Sequence, residues 1–269
     1  RSENEVVDMC GFAGFIEFAP ARSHDESARL IDQMTNRLTH RGPDDHGHWL
    51  NGSGSVALGH RRLSILDTSQ HGHQPMASPC GRFVLAYNGE VYNHVELRRE
   101  LLQSGATFQG QSDTETLVAG FSHWGIQDTI ERCIGMFALA VWDTAEQSLT
   151  LIRDRLGIKP LYYGMSNGSF LFGSELKALR VHPAFNPELN RGAISRFLQH
   201  SYVPTPHTVY TSYRKLPAGS SLTLQTSKVL ASNADLPCPK TWWDIRATVE
   251  RALANPFSGS RDAAIERLD

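Results

Sequence analysis

The sequence predicts an α+β fold built in layers. Strand candidates outnumber helical ones and fall in hairpin-like groups, which favours antiparallel sheets with helices packed on their outer faces over a doubly wound parallel sheet. Gly11 to Phe18 reads as a mostly buried strand carried by Phe12, Ala13, Phe15, Ile16 and Phe18. Ser23 or Asp25 can cap a helix in which Leu30, Ile31, Met34 and Leu38 recur at helical spacing, and which should end near His40. His40-Arg41-Gly42-Pro43-Asp44 has Gly-Pro turn chemistry, and strand-like runs follow at His46 to Leu50 and Ser55 to His60. Arg82 to Tyr87 is another, followed by one helix through Leu97, Leu101 and Leu102 and a second through Leu117, Val118, Phe121 and Trp124. Phe137 to Trp142, Leu149 to Arg153, Leu161 to Tyr163 and Phe170 to Phe172 supply further strands at hairpin intervals. Glu175 to Arg180 is a short helix, and Asn190 can cap a last one through Ile194, Phe197 and Leu198. The compact domain is expected to span residues 10–200, preceded by a leader or misplaced start over 1–9. From Ser201 prolines recur and periodicity weakens, so 201–269 reads as a linker and the truncated start of another domain, with a new helix at Asp262 to Leu268.

Composition narrows the function classes. The 26 Lys and Arg against 28 Asp and Glu leave a net charge of −2, which gives no basic field to recruit nucleic acid or an anionic membrane. Uninterrupted apolar stretches such as Met136 to Trp142 reach about seven residues, against the roughly 20 that a membrane helix needs. Arg1 to Asp8 lacks the apolar run of a signal peptide, so a cytoplasmic setting is the expectation. Four scattered cysteines form no C-x-x-C pair, and Cys80, Cys133 and Cys238 read as reduced, inert thiols. His40, His46, His48, His60, His71 and His73 are irregularly spaced, so they read as polar loop histidines, and no metal site is expected.

Cys10 is different. Removal of Met9 would make it a first residue whose thiol sits beside an α-amine of pKa about 8, so one residue would hold both nucleophile and base. Such a thiol can attack an amide, form a thioester and release ammonia. Arg62 offers a guanidinium fork for an amino-acid carboxylate, although alone it also suits a solvated surface. In Asn88-Gly89-Glu90-Val91-Tyr92-Asn93-His94 the side-chain amide and a following backbone N–H can form an oxyanion hole, and Glu90 can hold an ammonium. A plain hairpin turn fits Asn88-Gly89 equally well. Ser112-Asp113-Thr114-Glu115 opens a helix and offers a second carboxylate, or merely an N-cap.

Together these segments resemble the class II glutamine amidotransferases, and most closely the glutaminase part of glutamine-dependent asparagine synthetases. The resemblance runs from Cys10 to about Leu268. It also includes the His40 to Asp44 turn, Arg62-Leu63-Ser64-Ile65-Leu66-Asp67, Arg153 to Tyr163, Ser174-Glu175-Leu176-Lys177-Ala178-Leu179 and Lys215-Leu216-Pro217-Ala218-Gly219. It implies a four-layer αββα sandwich of two antiparallel sheets, of the N-terminal nucleophile hydrolase type, with residues 10–200 as the glutaminase domain. It implies that Cys10, Asn88 and Gly89 are catalytic, that Arg62 binds the glutamine carboxylate, that Glu90 and Asp113 bind its α-amino group, and that the backbone near Leu66 closes the pocket. Arg153 to Tyr163 and Ser174 to Leu179 would face a synthetase domain. The implied partners are L-glutamine and that synthetase domain, with a homodimer left open.

The sequence departs from the family in two places. Arg1 to Asp8 precede Met9 and would deny Cys10 a free amine, so a start at Met9, a removed propeptide or a misplaced start is implied. The Ser-Gly-Gly-x-Asp-Ser motif of the synthetase domain is not in the chain, so no cofactor is expected for this part and ATP with magnesium only for the missing one. Two alternatives remain: a glutamine-binding or interaction module if Cys10 stays blocked, and an ammonia acceptor other than aspartate, such as a uronic acid.

Overall fold

The computed structural model describes residues 9–19, 22–65, 67–227 and 236–268. Arg1 to Asp8, most of the stretch read as a leader or misplaced start, and Leu66 therefore lie outside the described residues. Two six-stranded antiparallel sheets form the centre. The first is ordered β10-β8-β9-β1-β3-β2, from β1 (Gly11–Glu17), β2 (Asp45–Leu50), β3 (Val56–Arg62), β8 (Tyr162–Ser166), β9 (Ser169–Gly173) and β10 (Tyr213–Lys215). The second is ordered β12-β11-β7-β6-β5-β4, from β4 (Met76–Ala77), β5 (Phe83–Val91), β6 (Gly135–Asp143), β7 (Ser148–Arg153), β11 (Ser220–Gln225) and β12 (Lys240–Thr241).

Period-two alternation explains why β1 is buried along its whole length. Phe12 and Ile16 point between the sheets, where they meet Val84, Ala138, Trp142 and Leu151 of the second sheet. Ala13 and Phe15 point outward against Leu30, Ile31 and Met34 of α1 (His24–Asn36). Burying one such large side chain contributes about 2–3 kcal/mol, so a polar substitution on either face of β1 would open a core. Ser23 caps α1 in a capping box: its hydroxyl accepts from the Glu26 N–H at 3.3 Å while its own N–H donates to the Glu26 carboxylate at 2.7 Å.

The outer face of the second sheet is covered by α2 (His94–Gln103), α3 (Asp113–Trp124) and α4 (Ile126–Arg132), whose Leu97, Leu117, Phe121 and Ile130 pack on Leu85, Leu139 and Val141. With α1 and α5 (Leu176–Leu179) on the first sheet, the layers run helix, sheet, sheet, helix, as the α+β reading and the family resemblance implied. Asn190 caps α6 (Arg191–His200) by accepting from the Ala193 N–H at 3.0 Å. The sheets continue past residue 200, because β10 pairs with β8 and β11 with β7. Leu216, Leu222 and Leu224 from that stretch lie in the core between the sheets. The proline-rich reading hid these strands, since one has three residues and the other six. Beyond β12, α7 (Ile245–Ala254) and α8 (Arg261–Leu268) follow, and α7 buries none of its residues.

Candidate active site

Pairing of Gly11 with Arg61 across β1 and β3 sets Cys10, at the entry to β1, beside the end of β3 where Arg62 lies. The second half of β5 and the first turn of α3 close the other side. A cavity of about 180 Å³ forms there, with Cys10, Arg62, Asn88, Gly89, Glu90 and Asp113 all in its wall. That is below the roughly 300–1,000 Å³ of drug-sized sites and suits a single amino acid. The structure thus gathers six of the seven residues singled out in the sequence, from four separate segments.

The Cys10 sulfur accepts from the Leu63 N–H at 3.2 Å and its S–H faces the Leu63 carbonyl at 3.5 Å. Burial pushes the thiol pKa up, against the smaller lowering effects of the Leu63 backbone hydrogen bond and the Arg62 charge. At neutral pH it is therefore a thiol, and becoming a nucleophile requires a base within reach. Behind it, the Arg41 Nε donates to the Cys10 carbonyl at 3.0 Å. Arg41 is itself held by Glu175 at 3.0 Å, which also pairs with His40 at 3.1 Å and Lys177 at 2.9 Å. Two motifs more than 130 residues apart, His40 to Asp44 and Ser174 to Leu179, thereby meet behind Cys10.

Arg62 is buried and only partly free. Its Nη1 donates to the Ser69 carbonyl at 2.9 Å and its Nη2 to the Asp67 carbonyl, so the guanidinium also ties down the loop after β3. Gly72 sits so close that an added Cβ would strike the guanidinium. The Ser69 hydroxyl and the Gln111 amide hold the Asp67 carboxyl at about 2, an anion at any physiological pH.

Asn88 is 1% exposed, yet neither its Oδ1 nor its Nδ2 has a protein partner among the described residues. Buried polar side chains are overwhelmingly hydrogen-bonded, so an orphaned amide in a cavity wall points to a ligand. Gly89 lies against β6: a Cβ there would strike the Met136 carbonyl and approach the Phe137 Cα to 2.7 Å. Backbone rather than side chain must face the cavity at that point. The pair lies inside β5, matched with Ala138 and Phe137, and is not a hairpin turn.

Asp113 and Ser112 divide the two roles that the sequence left open between them. Ser112 caps α3 by accepting from the Glu115 N–H at 3.2 Å. Asp113, buried in the first turn, accepts through Oδ2 from the Tyr87 hydroxyl at 2.6 Å and the Val91 N–H at 3.0 Å. Its other oxygen is uncommitted among the described contacts. Glu90 lines the same cavity and no ion pair among the described residues engages it.

Several site residues carried no legible signal in the sequence. Gln74 accepts from the Tyr87 N–H at 2.7 Å and donates to the Thr114 hydroxyl at 3.3 Å, which locks β5 to α3. His60, read as a loop histidine, is fully buried in β3 and meets the Tyr87 carbonyl through Nε2 at 2.8 Å. Burial lowers its pKa to about 4, so it is neutral and donates that bond. Lys159 reaches the cavity from the Arg153 to Tyr163 loop.

Against this geometry the chain matches the glutamine amidotransferase domain model over residues 9–234. The chain belongs to the glutamine amidotransferase domain family. It is 37% identical to asparagine synthetase [glutamine-hydrolyzing] 3 of Bacillus subtilis, over 80% of this chain and 34% of that one. A putative asparagine synthetase [glutamine-hydrolyzing] of Mycobacterium bovis is 36% identical over 95% of this chain and 39% of its own length. The amidotransferase chain thus spans little more than a third of these curated relatives. The glutamine phosphoribosylpyrophosphate amidotransferase of B. subtilis shares the fold, with a TM-score of 0.63 at 20% identity over 87% of this chain and 49% of that one. Among the described residues no helix is long and apolar enough to cross a membrane.

Proposed function

We propose that this amidotransferase domain hydrolyses L-glutamine to glutamate and ammonia through a thioester on Cys10, as the glutaminase part of an asparagine synthetase. The observation that carries the proposal is the orphaned Asn88 amide in one small cavity with the Cys10 thiol. Because burial keeps that thiol protonated, attack needs a base, and the α-amine of a Cys10 freed from Met9 is the base built into the same residue. The amine takes the S–H proton as sulfur attacks the amide carbon. The oxyanion that forms is met by the Asn88 Nδ2–H and the Gly89 N–H. The ammonium then gives its proton to the leaving nitrogen, ammonia departs, and water, deprotonated by the same amine, cleaves the thioester.

Arg62 holds the substrate carboxylate with the N–H groups not spent on Ser69 and Asp67, while Glu90 and the free oxygen of Asp113 hold its ammonium. Leaving either end unpaired is costly, which selects free glutamine over other amides. Transfer of the ammonia to aspartate belongs to a synthetase domain with its ATP and magnesium, while the hydrolysis itself uses the Cys10 thiol and α-amine, other side chains, a backbone N–H and water.

Two measurements test this. Intact-mass analysis should show a mature chain that begins at Cys10, and Cys10→Ala should abolish ammonia release from glutamine without altering the fold. A chain that keeps Met9 and still binds glutamine would instead support a binding module, and unchanged glutaminase activity in Cys10→Ala would defeat the proposal.

A further inference from the structure

Lys159 presents a problem that the proposed chemistry leaves unsolved. Its side chain is nearly fully buried, and among the described residues no carboxylate lies within ion-pairing distance of its ammonium. Its single described hydrogen-bond contact is the Met9 sulfur, at 2.7 Å. A buried cation whose partner is a thioether costs stability, and such groups persist where they serve a site.

The loop that presents Lys159 is built to hold it there. The Asp154 carboxylate accepts from the backbone N–H of Ile158 at 2.9 Å and of Lys159 at 2.9 Å, and also from Leu156 at 3.1 Å. The Arg153 guanidinium donates to the Lys159 carbonyl at 2.8 Å, the Gly157 carbonyl at 2.7 Å and the Leu216 carbonyl at 2.6 Å. With both carboxylate and guanidinium spent on backbone, the ammonium's position is fixed by the loop, and it points at the residue whose removal creates the α-amine.

We infer that Lys159 is a positioning residue for the reaction, a fixed cation on the amino side of Cys10 that keeps the freed α-amine in its neutral, proton-accepting form. The inference rests on the proposed thioester chemistry. A second positive charge disfavours the ammonium form of a neighbouring amine, so a larger fraction of the amine is base at neutral pH. The same repulsion drives the proton onward to the leaving nitrogen once the amine has taken it from sulfur.

Charged groups of both signs surround Cys10 and Lys159. Arg41 lies behind Cys10, Arg62 at the end of β3, Asp113 on α3, Glu90 on β5 and Asp154 on the loop itself. Burial lowers the Lys159 pKa, Arg41 adds to that, and Asp154, Cys10 and Glu90 oppose it.

The test uses the chain with Cys10 as its first residue, labelled with ¹³C-cysteine, in wild-type, Lys159→Met and Lys159→Arg forms. With four cysteines in the sequence, the Cα signal of Cys10 is assignable by its loss in Cys10→Ala, and it reports the amine titration directly. The titration midpoint should move to higher pH in Lys159→Met and return in Lys159→Arg. Glutamine hydrolysis at pH 6.5 should fall about ten-fold in Lys159→Met, with the gap closing as pH rises. A structural role alone would lower activity by the same factor at every pH. Identical amine titrations in wild type and Lys159→Met would overturn the inference, and Lys159→Gln supplies the same comparison if the methionine variant does not fold. Absence of ammonia release by the wild-type mature chain would sink the proposed function instead, while the titration would still decide the role of Lys159.

Discussion

Asn88→Leu separates catalytic design from structural need, because the two pull in opposite directions at this residue. Leucine is nearly isosteric with asparagine and suits a β-strand core. In the folded protein the amide forms no hydrogen bond with a described residue, so the substitution breaks no protein contact and removes two buried polar atoms. An unsatisfied buried polar group costs about 1–3 kcal/mol, so stability should be unchanged or should rise by up to about 2 kcal/mol. Catalysis should move the other way. Loss of one oxyanion donor lowers kcat about 100- to 1,000-fold, or roughly 2.7–4 kcal/mol of transition-state stabilisation, with the Gly89 N–H left as the remaining donor. Urea denaturation gives the first quantity and coupled glutamate release gives the second. A variant that loses 2 kcal/mol or more of stability yet keeps its kcat would show that the amide holds the fold together and stabilises no oxyanion.

Two further predictions follow from the same side chains. His60 is neutral in the folded state down to about pH 4, whereas in the unfolded chain it takes up a proton near its ordinary pKa of 6.5, so it costs stability as pH falls between those values. The loss is about 2 kcal/mol at pH 5 and about 3 kcal/mol below pH 4. His60→Gln, which can still donate to the Tyr87 carbonyl, should show a flatter fall in urea midpoint between pH 7 and pH 5, and an equally steep fall would exonerate His60. Arg62→Lys should raise the glutamine KM at least ten-fold, since an ammonium cannot hold the substrate carboxylate and the Ser69 and Asp67 carbonyls in one plane. Hydrogen exchange should also quicken around Ser69 to Gly72, and an unaltered KM would give the guanidinium to the loop alone.

Legibility in the sequence followed the range over which each residue acts. The strand runs of β5 to β7 and the helix caps at Ser23 and Asn190 are local signals, and the structure places them where the periodicity put them. Cys10, Arg62, Asn88, Glu90 and Asp113 were legible because each sits in a short motif with a chemical reading of its own, and the fold brings them to one cavity. Lys159 lay within such a motif and was still missed, since its meaning depends on Met9, 150 residues away. Gln74 and His60 carry no motif at all: one locks β5 to α3, the other spans the sheets, and neither partnership leaves a trace in nearby sequence. β10 and β11 failed for a different reason. Their strand character comes from the edges of β8 and β7 against which they pair, and flanking prolines mask what alternation they have.

The position of His60 explains how two sheets can hold the proposed nucleophile and the proposed oxyanion donors in register. Cys10 enters through β1 on one sheet and Asn88 leaves through β5 on the other, so any sliding of sheet on sheet would separate the Cys10 sulfur from the Asn88 amide. Phe12 pairs with His60 across β1 and β3, two residues from Cys10, and the His60 ring reaches over the gap to the Tyr87 carbonyl, one residue before Asn88. Tyr87 in turn spends its N–H on Gln74 and its hydroxyl on Asp113. One neutral ring and one tyrosine therefore tie the strand that follows Cys10, the strand that carries Asn88 and the Asp113 carboxylate together, and Tyr87 and Gln74 line the same cavity. Apolar packing between the sheets is non-directional and tolerates small shifts. The directional bonds at His60, Tyr87 and Gln74 do not, and they lie where the proposed chemistry demands the tightest placement.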